Sequence, residues 1–446
     1  MKKIINSSLI LIVLVLISSC SKFVEGYDVS PNAPSDAPPV LLLPAIQVST
    51  FSNLTGKNAR DAGVLTQQLK GALFQAQELE SYALTESSVD GDWAQIYSLS
   101  IVNCNVLINK SDDKSKTYRG IARIMKAMNL GLATDLWGDV PNSEAGLGQD
   151  GKTFNAKFDS QEDVIKDIQK MLSDAIADLG SASGDIVKPG ADDLVYGGDA
   201  KKWIGAAWVL KARYANRLSK KNPAGSATDA INFLAEAYKA GFTSSASNCN
   251  AVFDNTAANS FNQWKAYDAQ RAGYLTMNKN MMDLMTGLND PRLSFYAKDK
   301  TMGDKSAFGE YARGEKMPMV SFMEAKFIEA EANLRAGAKD KAAAAQNEAV
   351  KASILLVTGA ATSPFADETA ATITQGAIMT HKYIAMFTQP EVYNDWRRTN
   401  IPALTPNAGA TVNFIPRRYP TALTERLYNT KAVVNAKLDD PVWWDK

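Results

Sequence analysis

Trp203-Ile-Gly-Ala-Ala-Trp-Val-Leu-Lys-Ala-Arg-Tyr-Ala-Asn-Arg-Leu218 is the stretch on which the fold turns. Trp203, Ala207, Leu210, Tyr214 and Leu218 recur at intervals of three and four, which places them on one side of an α-helix. The same period runs through Ile121, Met125, Met128, Leu132 and Leu136, and through Val164, Ile168, Met171, Ala175 and Leu179. A fourth stripe is Met323, Phe327, Ala330 and Leu334. Ser160-Gln161-Glu162-Asp163 and Ser226-Ala227-Thr228-Asp229 resemble capping boxes, and Gly180, Gly241 and Gly337 sit where helices stop. Lys201–Lys220 pairs with Thr228–Ala240, and Ser321–Ala336 with Asp340–Thr358, as helical hairpins that need neighbours to bury their second faces. Strand-like alternation is scarce, which argues against a Rossmann sheet. The expected class is mostly α, with helix pairs stacked as in a solenoid but without a strict repeat. Between Gly241 and Pro318 Asn, Ser, Gly and Asp accumulate among aromatic residues. That insertion is expected to be irregular, with one short helix near Lys279–Thr286.

The 446 residues are 46% hydrophobic and 9% aromatic, enough for a large packed core and unlike a disordered chain. Basic and acidic side chains balance at 48 each, so the basic excess that nucleic acid demands is missing. A single histidine, His381, and three scattered cysteines leave no His-rich or CxxC metal motif. No metal or cofactor is expected.

Lys2 and Lys3 precede an apolar run from Leu9 to Ile17, too short for a membrane-spanning helix but suited to a signal peptide. Ile17-Ser18-Ser19-Cys20 has the form of a lipobox, with Cys20 as the lipid-bearing thiol. The chain is expected to divide into a lipoprotein signal at 1–19, a Pro-rich tether at 20–39 and a folded body at 40–446. Cys104 and Cys249 remain, and whether they form a bridge is left open.

Gly146-Leu-Gly-Gln-Asp-Gly-Lys-Thr153 matches the letter of a phosphate-binding loop. Pro141 precedes it and the next helix starts only near Ser160, so the strand–loop–helix context that aims amides at phosphate is lacking. His381 stands inside a helical stripe and reads as structural rather than as a triad base. Glu324, Glu329 and Glu331 read as hydrogen-bonded or solvated helix residues rather than as a pair of hydrolytic carboxylates.

A further set of segments, in this order, resembles the SusD/RagB-like nutrient-binding lipoproteins of Bacteroidetes outer membranes, specifically the second SusD-like subgroup. They include Asp28-Val-Ser-Pro-Asn-Ala-Pro-Ser35, Trp93-Ala-Gln-Ile-Tyr97, Thr134-Asp-Leu-Trp-Gly-Asp-Val-Pro141 and Asp193-Leu-Val-Tyr-Gly-Gly-Asp199. Asn289-Asp-Pro-Arg-Leu293, Trp396-Arg-Arg-Thr-Asn400, Ile415-Pro-Arg-Arg-Tyr-Pro420 and Val442-Trp-Trp-Asp445 complete it. The resemblance implies tetratricopeptide-like helix pairs cradling a loop-rich part. It also implies attachment to the outer membrane facing the exterior, and delivery of a glycan or peptide nutrient to a SusC-like TonB-dependent transporter without catalysis. Ser21-Lys22-Phe23-Val24-Glu25 departs from the acidic run that favours surface export in this phylum, so the outward orientation rests on the family alone. By the same resemblance the binding site draws on Gln77–Asp92 and Asn248–Gly273, where aromatic and amide side chains share a loop. Tyr82, Asp90, Asn262, Gln263, Trp264, Tyr267 and Arg271 are the candidate ligand-binding residues. A surface hydrolase and a non-binding structural lid of the transporter are the alternatives.

Overall fold

The computed structural model describes residues 37–151, 153–297, 308–435 and 437–446. The signal peptide, Cys20 and most of the tether lie outside these residues. Helices α1 (Pro39–Thr55), α2 (Lys57–Leu65), α3 (Phe74–Glu80) and α4 (Asp90–Ala94) come first, with strand β1 (Leu69–Gly71) between α2 and α3. A π-helical segment, Gln95–Ile101, joins α4 to α5 (Val102–Lys110), and α6 (Lys116–Trp137) follows. After the short pair β2 (Val140–Pro141) and β3 (Phe158–Asp159) come α7 (Gln161–Gly180), α8 (Ala200–Arg217) and α9 (Pro223–Lys239). The next segment holds β4 (Cys249–Val252), α10 (Gln263–Gln270), β5 (Leu275–Met277), α11 (Lys279–Gly287), α12 (Leu293–Tyr296) and β6 (Lys316–Val320). Helices α13 (Phe322–Arg335), α14 (Lys339–Thr358), α15 (Gln375–Ala385), α16 (Glu391–Thr399) and α17 (Leu423–Tyr428) complete the chain.

The striped helices form the scaffold. Each of α6, α7, α8, α9, α13 and α14 packs on the next, the stacked-hairpin arrangement that the periodicity implies. Close approach depends on glycine at two places in α6. A Cβ at Gly131 would lie 1.8 Å from the Tyr214 hydroxyl of α8, and one at Gly120 would lie 2.7 Å from Leu179 of α7.

Charged side chains knit the stack from within. Arg213 of α8 grips Glu324 of α13 through two hydrogen bonds of 2.5 and 2.6 Å. Arg217 bonds Glu391 at 2.6 Å and Asp135 at 3.0 Å, linking α8 to α16 and α6. Glu331 receives Lys382 at 2.9 Å and also pairs with Arg398. All eight of these charged side chains are buried, so each charge depends on its counterpart. Glu329 instead accepts the Tyr238 hydroxyl at 2.7 Å. Glu324 and Glu331 are therefore core ion-pair members, and Glu329 is hydrogen-bonded.

Local signals fare unevenly. Ser160 caps α7 by accepting from the Asp163 amide at 3.2 Å, and Gly241 and Gly337 take left-handed φ after α9 and α13. The expected capping box at Ser226 is corrected. Helix α9 starts earlier, with Pro223 at its first turn and Asn222 accepting from the Gly225 amide at 3.0 Å, and Ser226 lies inside the helix. Pro39 likewise opens α1 instead of ending the tether. The described part of the segment from Gly241 to Pro318 is more regular than expected. α11 lies where a helix is predicted, but β4 pairs antiparallel with β6, β5 with β1, and α10 is a further helix. Cys104 and Cys249 are separate buried thiols, and burial pushes Cys104 up to about 12. In the glycine-rich loop, one turn of 3-10 helix lies at Leu147–Asp150, and among the described residues the next helix begins only at Gln161.

Candidate functional site

Three segments distant in sequence converge on one cleft of about 530 Å³. The first is α2, which Gly56 lets turn sharply away from α1; a Cβ there would stand 2.3 Å from the Ser52 carbonyl oxygen. Lys57, Arg60, Asp61 and Val64 recur at helical spacing on α2, and all four line the cleft. The second is the α3 region and the loop after it, contributing Gln75, Glu78, Leu79, Leu84, Thr85, Ser87 and Ser88. The third is the end of α10 and the start of β5, with Tyr267, Arg271 and Leu275. A smaller hollow of about 280 Å³ shares Lys57, Arg60 and Ser88 and adds Asn58, Asp92, Gln95 and Gln263.

The wall around α3 is held tightly. Antiparallel pairing of β1 with β5 sets Lys70 opposite Thr276, and the Gly71 amide donates to Glu80 at 3.0 Å. A Cβ at Gly71 would collide with the Ala76 carbonyl oxygen at 1.7 Å, so only glycine closes this turn. Phe74 and Tyr82, at the two ends of α3, have φ of +50° and +60°, a left-handed conformation that costs an aromatic residue energy and concentrates at functional sites. Phe74 is 64% exposed and stacks on Tyr274 with ring centroids 4.9 Å apart. Their chain neighbours Gln75 and Leu275 line the cleft, so the stacked pair flanks it.

Charge inside the cleft is paired unevenly. Lys57 donates to Asp61 at 2.6 Å and to Asp92 at 2.7 Å. Burial raises Asp92 above the ordinary carboxylate value, opposed by Lys57 and reinforced by Asp61; burial acts on Lys57 in the other direction, but the two carboxylates hold its pKa up. With the ammonium lodged between them, these carboxylates are engaged with Lys57 rather than poised across a scissile bond. Arg60 lies with Cζ 4.4 Å from the centroid of the Tyr267 ring, and Arg271 with Cζ 5.5 Å from it.

The expected site residues divide into two groups. Gln263, Tyr267 and Arg271 border the cleft or its adjoining hollow. Trp264 is corrected from stacking platform to core. It has no exposed surface, donates its indole N–H to the Thr55 carbonyl at 2.7 Å, and meets Phe308 and Phe387 edge-on. Tyr82 and Asn262 are also buried. The Tyr82 hydroxyl accepts from the Asn407 amide at 3.2 Å, and Asn262 caps α10 by accepting from the Trp264 amide at 2.7 Å. Asp90 accepts from the amide and hydroxyl of Thr424, both at 3.0 Å, tying α17 down. Trp264, Tyr82 and Asn262 are buried, Asp90 is half-buried, and none of the four lines the cleft or the hollow. Lys57, Arg60 and Asp61 were beyond a reading confined to two loops, although their helical spacing on α2 was available as a signal. Phe74 gave none, because its exposure depends on the turn before it.

Among the described residues, no group of three or more His, Cys, Asp or Glu side chains is placed to hold a metal ion, and no helix is long and apolar enough to cross a membrane. The chain matches a family model described as starch-binding, associating with outer membrane, over residues 31–317 and 313–420. A comparison with curated proteins returns no match. Among solved structures, a chitin-binding SusD homologue from Flavobacterium johnsoniae superposes with a TM-score of 0.76 at 22% identity, covering 91% of this chain and 98% of that one. A SusD/RagB family protein from Bacteroides thetaiotaomicron gives 0.73 at 23% identity, over 92% and 99% of the two chains. A SusD-like protein from Bacteroidetes AC2a gives 0.74 at 18% identity, over 92% and 100%. At these identities the structures establish the fold, mostly α and SusD-like, while the family match runs across most of the length: the chain belongs to the second SusD-like family of outer-membrane-associated, starch-binding proteins.

Proposed function

We propose that this protein captures an oligosaccharide in the cleft between α2, α3 and α10 and presents it, uncleaved, to a SusC-like TonB-dependent transporter. In this reading Cys20 carries the lipid and the body faces the exterior. The observation that carries the proposal is the convergence of the two expected segments on one 530 Å³ cleft, flanked by the exposed Phe74–Tyr274 stack. A sugar presents C–H faces to aromatic rings and hydroxyls to polar side chains, and Thr85, Ser87, Ser88 and Gln75 supply the polar partners here. The family description and the chitin-binding relative support a glycan over a peptide.

The test is calorimetry of the soluble, unlipidated chain from Ser21 onward against a panel of starch, chitin and acidic oligosaccharides. Phe74→Ala and Tyr267→Ala should each weaken binding by about ten-fold, the scale of one lost aromatic contact. Unchanged affinity in both would move the site elsewhere. Silence toward every glycan, with transporter association retained, would make the protein a structural lid. Separately, Cys20→Ala should release the protein from membranes.

A further inference from the structure

Arg60 and Arg271 approach the same ring, Tyr267, within the cleft. Among the described residues neither guanidinium has a carboxylate within 4 Å, whereas Lys57 absorbs both Asp61 and Asp92. Arg60 is only 9% exposed, and among the described residues its guanidinium makes a single hydrogen bond, a long one from Nη1 to the Gln263 carbonyl at 3.3 Å. Among the described residues the Arg271 guanidinium donates only to the neighbouring Gln270 side chain, at 3.1 Å. Guanidinium groups removed from water are ordinarily matched by acceptors: Arg213, Arg217, Arg292 and Arg398 each meet a carboxylate, and Arg397 meets the Arg417 carbonyl at 2.7 Å and Asn394 Oδ1 at 2.5 Å. Burial pulls the Arg60 pKa down, with Asp61 acting against it.

Resting on the reading of this cleft as a glycan site, we infer that the glycan is anionic, and that Arg60 and Arg271 receive a carboxylate or sulfate carried on a sugar ring. The two oxygens of a carboxylate, or two oxygens of a sulfate, accept two N–H donors from one guanidinium, which fixes orientation as well as adding affinity. Tyr267 holds both cations by its ring, leaving their outer N–H groups for the ligand. The hydroxyls of Ser87 and Ser88 on the facing wall suit the neutral part of the same sugar. Glu78 also lines the cleft, but it is exposed, where its repulsion is weakened by water.

The experiment compares the mature chain with Arg271→Gln, a half-exposed position whose change leaves the core intact. Probes are a galacturonic acid oligomer and its methyl ester, a sulfated oligosaccharide and its desulfated form, a chitin oligomer, and polyglutamate. The acidic member of one pair should bind about ten-fold tighter than its neutral twin, with the advantage shrinking in Arg271→Gln and as salt is raised. The pair that shows it identifies the acid group. Equal affinity within both pairs, or an advantage untouched by Arg271→Gln, overturns the inference while glycan capture stands. Binding of polyglutamate alone overturns it in favour of an acidic peptide. Silence toward every carbohydrate removes the glycan reading and this inference with it.

Discussion

His381 stands edge-on to Phe365 with ring centroids 4.8 Å apart, and its Nδ1 is buried without a protein partner. Burial lowers its pKa from 6.5 to about 4, with Arg292 adding to the effect. Between those two values the unfolded chain binds a proton that the native protein refuses, so stability falls as pH drops from 6.5 to 4. The loss is at most about 3 kcal/mol. Urea unfolding across this range should show a shallower acid limb for His381→Phe than for the parent, and identical limbs would mean the imidazole titrates normally. Glu391 acts in a lower window. Burial would raise it, but Arg217 brings it down to about 2, so its contribution is present above 4.5 and disappears as pH falls through 2. At this scale the sequence was informative about type and poor about exposure. That His381 is structural followed from its helical stripe. Trp264 and Tyr267 are three residues apart in one short helix, and nothing in their order says that the first faces Thr55 and the second faces the cleft.

Helix α3 shows where element-level reading stops. It is seven residues long, has a left-handed residue at its start, and depends on Gly71 and the β1–β5 pairing rather than on any stripe of its own. The 20-residue α7 was legible because length, period and an N-cap serine agree. Two predictions separate these sources of order. Ser160→Ala should cost about 1 kcal/mol in chemical denaturation, the usual value of a lost N-cap. Phe74→Gly should be more stable than Phe74→Ala by about 1 kcal/mol, since only glycine takes φ of +50° freely. Both Phe74 variants should lose glycan affinity. A gain in stability alongside a loss of binding would identify the strained turn as one kept for its aromatic side chain, whereas equal stability of the two variants would show that the turn relaxes.

Over the whole molecule, the stacked scaffold and its C-terminal helices are joined by charge as well as by apolar packing. Glu331 in α13 reaches Lys382 of α15 and Arg398 of α16, partners 51 and 67 residues further along the chain. Burial alone would raise the Glu331 pKa, yet Arg398, Lys382 and Arg335 hold it well below the ordinary carboxylate range. Such a network was out of reach of the sequence because the pairing depends on how far each helix turns before it packs; the Glu and Arg residues alone also fit a solvated surface. Replacing Glu331 by alanine leaves Lys382 and Arg398 buried with Asp395 as their remaining carboxylate, within 2.9 and 3.0 Å. Removing one member of a buried pair typically costs about 3–5 kcal/mol, most of it the stranded charge rather than the lost attraction. The expected result is therefore a large drop in the guanidinium midpoint for Glu331→Ala and a smaller added drop when Glu331→Ala is placed in a Lys382→Met background. Strict additivity in that cycle would show that the two charges do not sense each other. Far-UV circular dichroism and tryptophan fluorescence should follow one coincident transition in the parent, because α13 ties the scaffold to the C-terminal helices through bonds that no single hairpin contains. If Glu331→Ala splits the two probes into separate transitions while the parent shows one, the buried ions are the joint that makes the fold cooperative.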